Sequence, residues 1–201
     1  MVDFFVQGGG FMWPILIALL FGLAIIGERA YSLLNSSSNT DEFFEDVKTV
    51  YNDSGKEQAI ELCENTPGPV ASIFYAGLSK MGNAKEEIEK AVQNAGGLEM
   101  AFLEKNMIWI NSVITIAPML GFTGTVVGMI KAFEDIKMAN DISPAVVAGG
   151  ISQALLTTAF GLIVAMIMQV AQNFFVSMID KLILDMEEQS IKIVEYLHNS
   201  K

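Results

Sequence analysis

Long apolar stretches alternate with amphipathic ones along this chain, and three of the apolar stretches are long enough to cross a lipid bilayer. They run from about Phe11 to Gly27, from about Ile108 to Ile130 and from about Val146 to Met168. A helix needs about 20 apolar residues to span a hydrocarbon core about 30 Å thick. The pattern therefore predicts an all-α membrane protein with three transmembrane helices.

Between the first two spans, apolar residues recur every three or four positions, which is typical of helices that bury one face. Residues 41–64 predict one or two amphipathic helices with a break near Gly55. The Pro67-Gly68 pair is a stronger break. A further short helix is predicted from Val70 to Met81.

A helix that begins after Asn83 is predicted to continue into the second span. Asn83 and Glu86 have the spacing of a capping box, and no compelling breaker follows before Pro118. We therefore expect one helix from Ala84 through the membrane to about Glu134. Pro118 should kink it, because proline removes one helical hydrogen bond and clashes with the preceding turn.

The third span is also predicted to continue past the membrane. Ser143 suits an N-cap and Pro144 the first helical position, and near Asp180 the pattern becomes amphipathic. This tail is expected to pack against the first cytoplasmic extension.

The predicted regions are a periplasmic N-terminus with the first transmembrane helix at 1–34, a cytoplasmic helical region at 35–107, a second transmembrane helix at 108–131, a short periplasmic loop at 132–145, a third transmembrane helix at 146–179 and a cytoplasmic C-terminal helix at 180–201.

Basic residues indicate the orientation, because Lys and Arg are enriched in cytoplasmic loops. None precedes the first span, whereas Arg29 follows it and six lysines lie between Leu33 and Met107. This predicts a periplasmic N-terminus and a cytoplasmic C-terminus. The first span is expected to be retained, since it has no basic residues before it and no small-residue cleavage site after it. Arg29 is expected to extend toward the membrane interface as an anchor.

The composition argues against several other classes of protein. Hydrophobic residues make up 52% of the 201 residues, and the formal net charge is −11. A basic footprint for nucleic acid is absent. Cys63 is the single cysteine, so no intrachain disulfide can form. We see no catalytic nucleophile, metal-ligand cluster or phosphate loop, and therefore expect a protein that is not an enzyme and binds no cofactor or metal.

The second and third spans carry polar side chains but no ionisable ones. Residues 106–130 include three threonines, and residues 142–179 contain no Asp, Glu, Lys, Arg or His. Gln153 and Thr157 are four positions apart and are expected to point together, while Ala154 and Thr158 share another face. Two such helices would form a polar path that cannot itself bind a proton, because hydroxyls and amides do not titrate.

Two interpretations of these residues remain open. In the first, the hydroxyls and the amide only stabilise helix packing, each by about 0.6 kcal/mol. In the second, they line a channel, because polar groups at membrane depth usually face an interior or a cavity. Gly121, Gly124 and Gly128 offer small surfaces for close helix contact in either case.

Two long motifs identify a family that the chain resembles. The first is Ala-Pro-Met-Leu-Gly-Phe-Thr-Gly-Thr-Val-Val-Gly-Met-Ile, which begins at Ala117, and the second is Gly-Ile-Ser-Gln-Ala-Leu-Leu-Thr-Thr-Ala-Phe-Gly-Leu, which begins at Gly150. Together they resemble the ExbB/TolQ/MotA family of ion-driven motor proteins over about Ile114 to Phe175. The three spans favour the ExbB/TolQ branch, because the MotA branch normally has four.

The resemblance implies an inner-membrane complex in which five copies of the chain surround two copies of an ExbD/TolR-like single-span partner with a membrane Asp. Ion flow would move that partner, and a TonB- or TolA-like protein would receive the movement. Membrane lipids are the other expected partners, and no nucleic acid is. Thr125 and Thr158 match the family's lumen-facing threonines. The expected ion pathway comprises Thr125, Gln153, Thr158, Thr123 and Thr157.

The chain departs from the family pattern at two positions. Gln153 stands where many ExbB-type proteins have Glu, and Ile167 stands where a Pro is usual. Gln is nearly isosteric with Glu but cannot ionise. We therefore expect the essential acid to come from the partner's membrane Asp, and the transported ion to be H⁺ or Na⁺.

The same pattern admits two rival functions. A non-conducting scaffold would use the same threonines only to pack helices and would need no ion and no partner. A solute transporter fits less well, because the pattern contains no pair of broken membrane helices. Within the family, uptake across the outer membrane, envelope maintenance and surface motility all remain open.

Overall fold

The computed structural model is all-α and describes residues 2–36, 40–139 and 144–199. Within these residues the elements are α1 (Val2–Gln7), α2 (Met12–Ser36), α3 (Thr40–Ser54), α4 (Lys56–Asn65), α5 (Pro69–Ser79), α6 (Lys85–Leu103), α7 (Met107–Ala139) and α8 (Pro144–Asn199). Three helical stretches, in α2, α7 and α8, are long and apolar enough to cross a membrane. The predicted fold class is therefore confirmed.

The chain divides into two compact units, and α2 and α8 contribute to both. The first unit, called the membrane unit below, comprises Met1–Glu28 and Asn106–Phe174. The second, called the helical unit, comprises Arg29–Lys105 and Phe175–Lys201.

In the membrane unit, glycines allow close contact between the three apolar helices, and many large apolar side chains are exposed. A Cβ added to Gly22 of α2 would lie 2.5 Å from the Met168 sulfur of α8 and 3.5 Å from a methyl group of Val113 in α7. Exposed apolar residues on these helices include Trp13, Ile17, Leu20, Ile116, Met119, Phe122, Leu162, Ile163 and Met166. Such exposure is expected of helices whose solvent is lipid.

In the helical unit, α5 lies at the centre of a conventional apolar core. Ile73, Phe74 and Leu78 of α5 are fully buried. A Cβ added to Gly77 would lie 3.2 Å from both Leu197 of α8 and Val92 of α6. The tail of α8 therefore packs on α5, beside α6, with its apolar face turned inward.

The predicted breaks in the helical unit are confirmed, whereas the predicted N-cap of α6 is wrong. Gly55 has a φ of 92° and separates α3 from α4, and the break at Pro67-Gly68 precedes α5. Ala84, not Asn83, is the N-cap of α6. The Asn83 side chain donates instead to the Glu87 carboxylate, at 2.6 Å, so the expected capping box does not form.

The single helix expected from Ala84 to Glu134 is interrupted. Helix α6 ends at Leu103, and α7 begins at Met107 after Asn106 adopts a φ of 65°. Asn is one of the few residues that enter this left-handed region readily, because its short polar side chain can bond locally. Its side chain donates to the Glu28 carboxylate at 3.3 Å.

Arg29 does not extend toward the interface as expected. It is 1% exposed, and its guanidinium donates to the carbonyl oxygens of Phe102 and Leu103, both at 3.4 Å. These carbonyls belong to the last turn of α6, and that of Phe102 also accepts from the Lys105 N–H at 3.2 Å. A cation there also interacts favourably with the negative end of the helix dipole. Arg29 therefore helps to end α6.

Several other boundaries differ from the predicted ones. Helix α1 occupies Val2–Gln7, where no helix was expected, and α7 continues to Ala139, so the start of the loop predicted at 132–145 is helical. Residues 140–143, which include the predicted N-cap Ser143, lie outside the described residues. The tail is continuous with the third span, as predicted, because α8 runs unbroken to Asn199.

Candidate functional site

Helices α7 and α8 approach each other along a seam of small residues. A Cβ added to Gly161 would lie 2.5 Å from the Ala117 carbonyl oxygen, and one added to Gly150 would lie 2.4 Å from the Ala132 Cβ. Residue numbers increase along α7 while those of the contacting residues on α8 decrease, so the two helices are antiparallel. The backbones can come this close only because these positions have no side chain.

The three glycines singled out in the first motif lie on this seam. A Cβ on Gly121 would lie 2.8 Å from the Thr157 carbonyl oxygen, and one on Gly124 would lie 2.7 Å from the Thr157 hydroxyl. A Cβ on Gly128 would lie 3.2 Å from the Ala154 methyl group. The seam thus brings the two threonine-bearing stretches together.

Thr125 and Thr158 form a hydroxyl pair across the seam. Their Oγ1 atoms are hydrogen-bonded to each other. Thr125 Oγ1 lies 2.9 Å from the Ala154 carbonyl oxygen, and Thr158 Oγ1 lies 3.2 Å from that of Gly121. Both residues are partly exposed. Each hydroxyl has one proton and two lone pairs, so the pair keeps acceptor sites that could hold a water molecule or a cation.

Thr157 takes a different place in the same cluster. It is 2% exposed, and its hydroxyl donates to the Ala154 carbonyl oxygen at 2.7 Å, with the Gly121 carbonyl oxygen at 3.3 Å. Its only proton is used inside the seam, and its surroundings are protein atoms. This position favours the packing interpretation for Thr157.

Thr123 and Gln153 lie away from the hydroxyl pair. Thr123 is exposed and donates to the Met119 carbonyl oxygen of its own helix at 2.8 Å. Gln153 is half-buried, and its amide lies against Gly9, where an added Cβ would be 2.0 Å from Nε2. Of the five residues expected to line the pathway, the structure therefore brings together Thr125, Thr157 and Thr158.

Pro118 lies inside α7, and the helix continues through it. Because proline has no N–H, the carbonyl oxygen of Ile114 lacks its usual helical donor. The neighbouring Ala117 carbonyl faces Gly161 of α8. The proline is thus placed where α7 and α8 are in backbone contact, and the kink expected there stays a prediction.

Sequence reasoning missed two contributors to the site. The Ala154 carbonyl accepts from Thr125 and Thr157, although only the small side chain of Ala154 was noted. Gly9 packs on Gln153 from 144 positions away. No local pattern could have revealed that contact. Among the described residues, no group of His, Cys, Asp and Glu could hold a metal ion.

Comparison with known proteins agrees with these motifs. An ExbB-like biopolymer transport protein of Synechocystis sp. is 29% identical over 92% of this chain and 90% of its own length. A biopolymer transport protein of the ExbB type from Vibrio cholerae is 26% identical over 79% of this chain and 72% of its own. The Tol-Pal system protein TolQ of Pseudomonas aeruginosa is 28% identical over 53% of this chain and 51% of its own.

The model of one protein family matches residues 65–188, which include α5, α6, α7 and most of α8. The match contains both motifs and every residue of the α7–α8 seam. The chain belongs to the MotA/TolQ/ExbB proton channel family.

Proposed function

We propose that this chain is a subunit of an inner-membrane ion-channel motor, with its N-terminus in the periplasm and its C-terminus in the cytoplasm. The motor couples the proton or sodium motive force to movement of an ExbD/TolR-like single-span partner. That movement energises outer-membrane transport of the TonB-dependent type or processes of the envelope. Five copies of the chain surround two copies of the partner.

The hydroxyl pair of Thr125 and Thr158 is the observation that carries this proposal. It lies between two membrane-length helices, and residues 106–130 and 142–179 contain no ionisable group. Its partial exposure leaves lone pairs for a ligand from outside the chain. A carboxylate on the partner's membrane helix would supply the proton-binding group that the chain lacks.

The same chemistry bears on the choice of ion. Hydroxyl and amide oxygens are hard ligands that suit a partly dehydrated Na⁺, and they can equally order water for a proton relay. The replacement of the frequent Glu by Gln153 leaves both ions open. Flux that persists without Na⁺ supports a proton pathway, and flux that needs Na⁺ supports a sodium pathway.

A second candidate function is a non-conducting scaffold, and one observation favours it. All three clustered threonine hydroxyls lie within hydrogen-bond distance of backbone carbonyls. Hydroxyls that serve only to stabilise helix packing would be arranged in this way. In that case no partner helix and no ion would be required. The two functions therefore differ in assembly and in flux, and both can be measured.

Native mass spectrometry of the chain, purified with and without its co-expressed single-span partner, tests the assembly. Five copies that retain two partner chains support the motor. A monomer or dimer that ignores the partner favours the scaffold.

Ion flux in proteoliposomes tests the pathway, with Thr158→Val as the test variant. Valine keeps the shape of threonine and removes the hydroxyl, so we expect flux to fall by about 100-fold or more if the hydroxyl contacts the ion or its water. Thr115→Val is the matched control, because Thr115 is exposed and bonds only to the Asn111 carbonyl one turn back in the described structure. Flux from Thr158→Val equal to that of the wild type would reject the lining role.

A further inference from the structure

The turn between α1 and α2 makes an unusually close contact with the third membrane helix. A Cβ placed on Gly9 would lie 2.0 Å from Nε2 of Gln153, whereas ordinary contact begins at 3.4 Å. Gly9 also has a φ of 70°, a conformation that L side chains rarely adopt. The backbone conformation therefore favours glycine at this position, and any side chain there would push the end of the Gln153 side chain aside.

A second contact fixes the same turn. Phe11 lies beside Gly124 of α7, where an added Cβ would be 3.2 Å from the Phe11 Cβ. Met12, at the start of α2, is 1% exposed. The turn is thus packed against both helices that carry the hydroxyl cluster, and it cannot move away from Gln153 without opening those contacts.

The contact also fixes how the amide of Gln153 is turned. Nε2 is the nearest side-chain atom to the added Cβ, followed by Cδ at 3.1 Å and Cγ at 3.7 Å. The donor end of the amide is therefore the end directed at the turn, and the acceptor oxygen Oε1 is farther from it. A pathway for cations needs acceptor oxygens, because an NH₂ group only donates and repels positive charge.

We infer that Gly9 is a positioning residue, because its missing side chain leaves room for the amide of Gln153 beside the turn, with the amide oxygen available to the ion pathway. This inference rests on the proposed function, and it gives the α1–α2 turn a role in ion conduction. The side chain at 153 acts there as a fixed oxygen ligand in place of an ionisable group. Any side chain at position 9 must displace the amide or rotate it.

A double-mutant cycle tests the inference in the complex of the chain with its single-span partner. Gly9→Ala should lower ion flux by about tenfold or more, because misplacing a positioned group by about 1 Å is costly. In the Gln153→Ala background the clashing amide is gone, so adding Gly9→Ala should change flux by less than about twofold. An equal loss in both backgrounds would assign the effect to backbone strain at Gly9 and overturn the inference.

Gly10→Ala is the matched control, because no atom lies within 4 Å of a Cβ at Gly10. It changes the neighbouring residue of the same turn and should leave flux unchanged. Wild-type flux from Gly9→Ala would also overturn the inference.

A spectroscopic measurement separates this inference from the proposed function. In ¹⁵N spectra of the complex in nanodiscs, the side-chain amide signal that disappears in Gln153→Ala identifies Gln153. That signal should shift in Gly9→Ala and stay in place in Gly10→Ala. Thr158→Val could keep full flux while Gly9→Ala lowers flux only when Gln153 is present. In that case the lining role of the hydroxyl is rejected and the role of Gly9 is retained. If the wild-type complex conducts no ions, the function and the inferred role both fail, whatever the amide signal shows.

Discussion

The membrane unit and the helical unit differ in the contacts that hold the helices of each unit together. In the membrane unit, glycines and alanines let the α7 and α8 backbones touch, and threonine hydroxyls bond across the seam to carbonyls such as that of Gly121. In the helical unit, large side chains fill the interior, with Phe74 packed on Phe43 and Phe44 at centroid distances of 5.6 and 5.7 Å. Close backbone contact between small residues is thus the feature of the α7–α8 seam, and packed aromatic side chains are the feature of the helical unit.

The solvent explains this difference. Burying apolar surface away from water is the main drive for folding, so the helical unit gains most from large buried side chains. Lipid tails are as apolar as leucine and provide no such drive, so membrane helices associate through close packing and hydrogen bonds. Truncation of a buried aromatic side chain should therefore be costly in the helical unit, and enlargement of a glycine should be costly at the seam of the membrane unit.

Truncation of a phenylalanine gives the largest expected effect. Phe74→Ala removes a side chain that is 0% exposed and should destabilise the helical unit by about 3–5 kcal/mol. Phe122→Ala in the membrane unit, where the ring is 66% exposed, should change stability by less than about 0.5 kcal/mol.

Cys63 offers a direct readout for the Phe74 variant. It is the single cysteine, it is buried, and burial raises the pKa of its thiol to about 12. At pH 8 the thiol of the folded helical unit should therefore resist a maleimide, and its labelling rate should report opening of that unit. Phe74→Ala should raise this rate by about 100-fold or more. Equal labelling of the wild type and the variant would contradict the central role of Phe74.

Enlargement of a glycine tests the membrane unit. Gly161→Ala places a methyl group 2.5 Å from the Ala117 carbonyl oxygen, which belongs to the backbone and cannot turn aside. The helices must separate, at a cost of about 1–3 kcal/mol. Thermal unfolding in detergent, followed by circular dichroism, should show a lower midpoint.

Two glycines with free space around them are controls for this change. No atom lies within 4 Å of a Cβ at Gly149 in α8 or at Gly97 in α6. Gly→Ala at an unhindered helical position stabilises by up to about 1 kcal/mol, because alanine loses less backbone entropy. A lower midpoint for Gly149→Ala would mean that helix propensity, and not the seam, decides the result at Gly161.

The comparison also shows which features a sequence can reveal. The spans and the breaks at Gly55 and Pro67-Gly68 were predictable because they depend on local hydropathy and turn chemistry. Thr123 and Thr125 were both assigned to the pathway, yet residues two apart on a helix lie about 200° apart around its axis. This angle alone argues against placing both side chains on one surface of the ion pathway.

The break between α6 and α7 could not be predicted in the same way. Asn106 is a good residue for a left-handed turn, but such residues also occur inside helices. The distinguishing contact comes from Arg29, which donates to the Leu103 carbonyl from 74 positions away. The Gly9–Gln153 contact is equally non-local, so each required a tertiary structure to be found.

Substitution of Asn106 tests the turn that precedes α7. Asn106→Ala should cost about 1–2 kcal/mol, because alanine is disfavoured at a φ of 65°. Asn106→Gly accepts that conformation freely and should cost less, although it also loses the bond to Glu28. Thermal midpoints of the two variants measure the difference. A larger loss for glycine than for alanine would show that the Glu28 bond matters more than the backbone conformation.

The smallest expected effect concerns an exposed charge cluster in the helical unit. The Asp41 carboxylate accepts hydrogen bonds from Lys192 and from Gln189, both at 2.7 Å, and Gln189 is 1% exposed. The hydrogen bond from Lys192 is the main cause that lowers the pKa of Asp41 below its usual 3.8. A carboxylate with a lowered pKa in the folded state stabilises that state above about pH 4, and the contribution is lost as the pH falls through the folded-state pKa.

Asp41→Asn should therefore lower the thermal midpoint slightly at pH 7, and the difference from the wild type should vanish as the pH falls below 3.8. The effect should stay below about 2 °C, because exposed ion pairs contribute little and are screened by salt. Glu45→Gln is the matched control, since Glu45 pairs with Lys48 of its own helix at 2.8 Å. A loss in Asp41→Asn that is the same at pH 3 and at pH 7 would show that Asp41 does not act through its charge, because asparagine keeps an oxygen that can accept from Gln189.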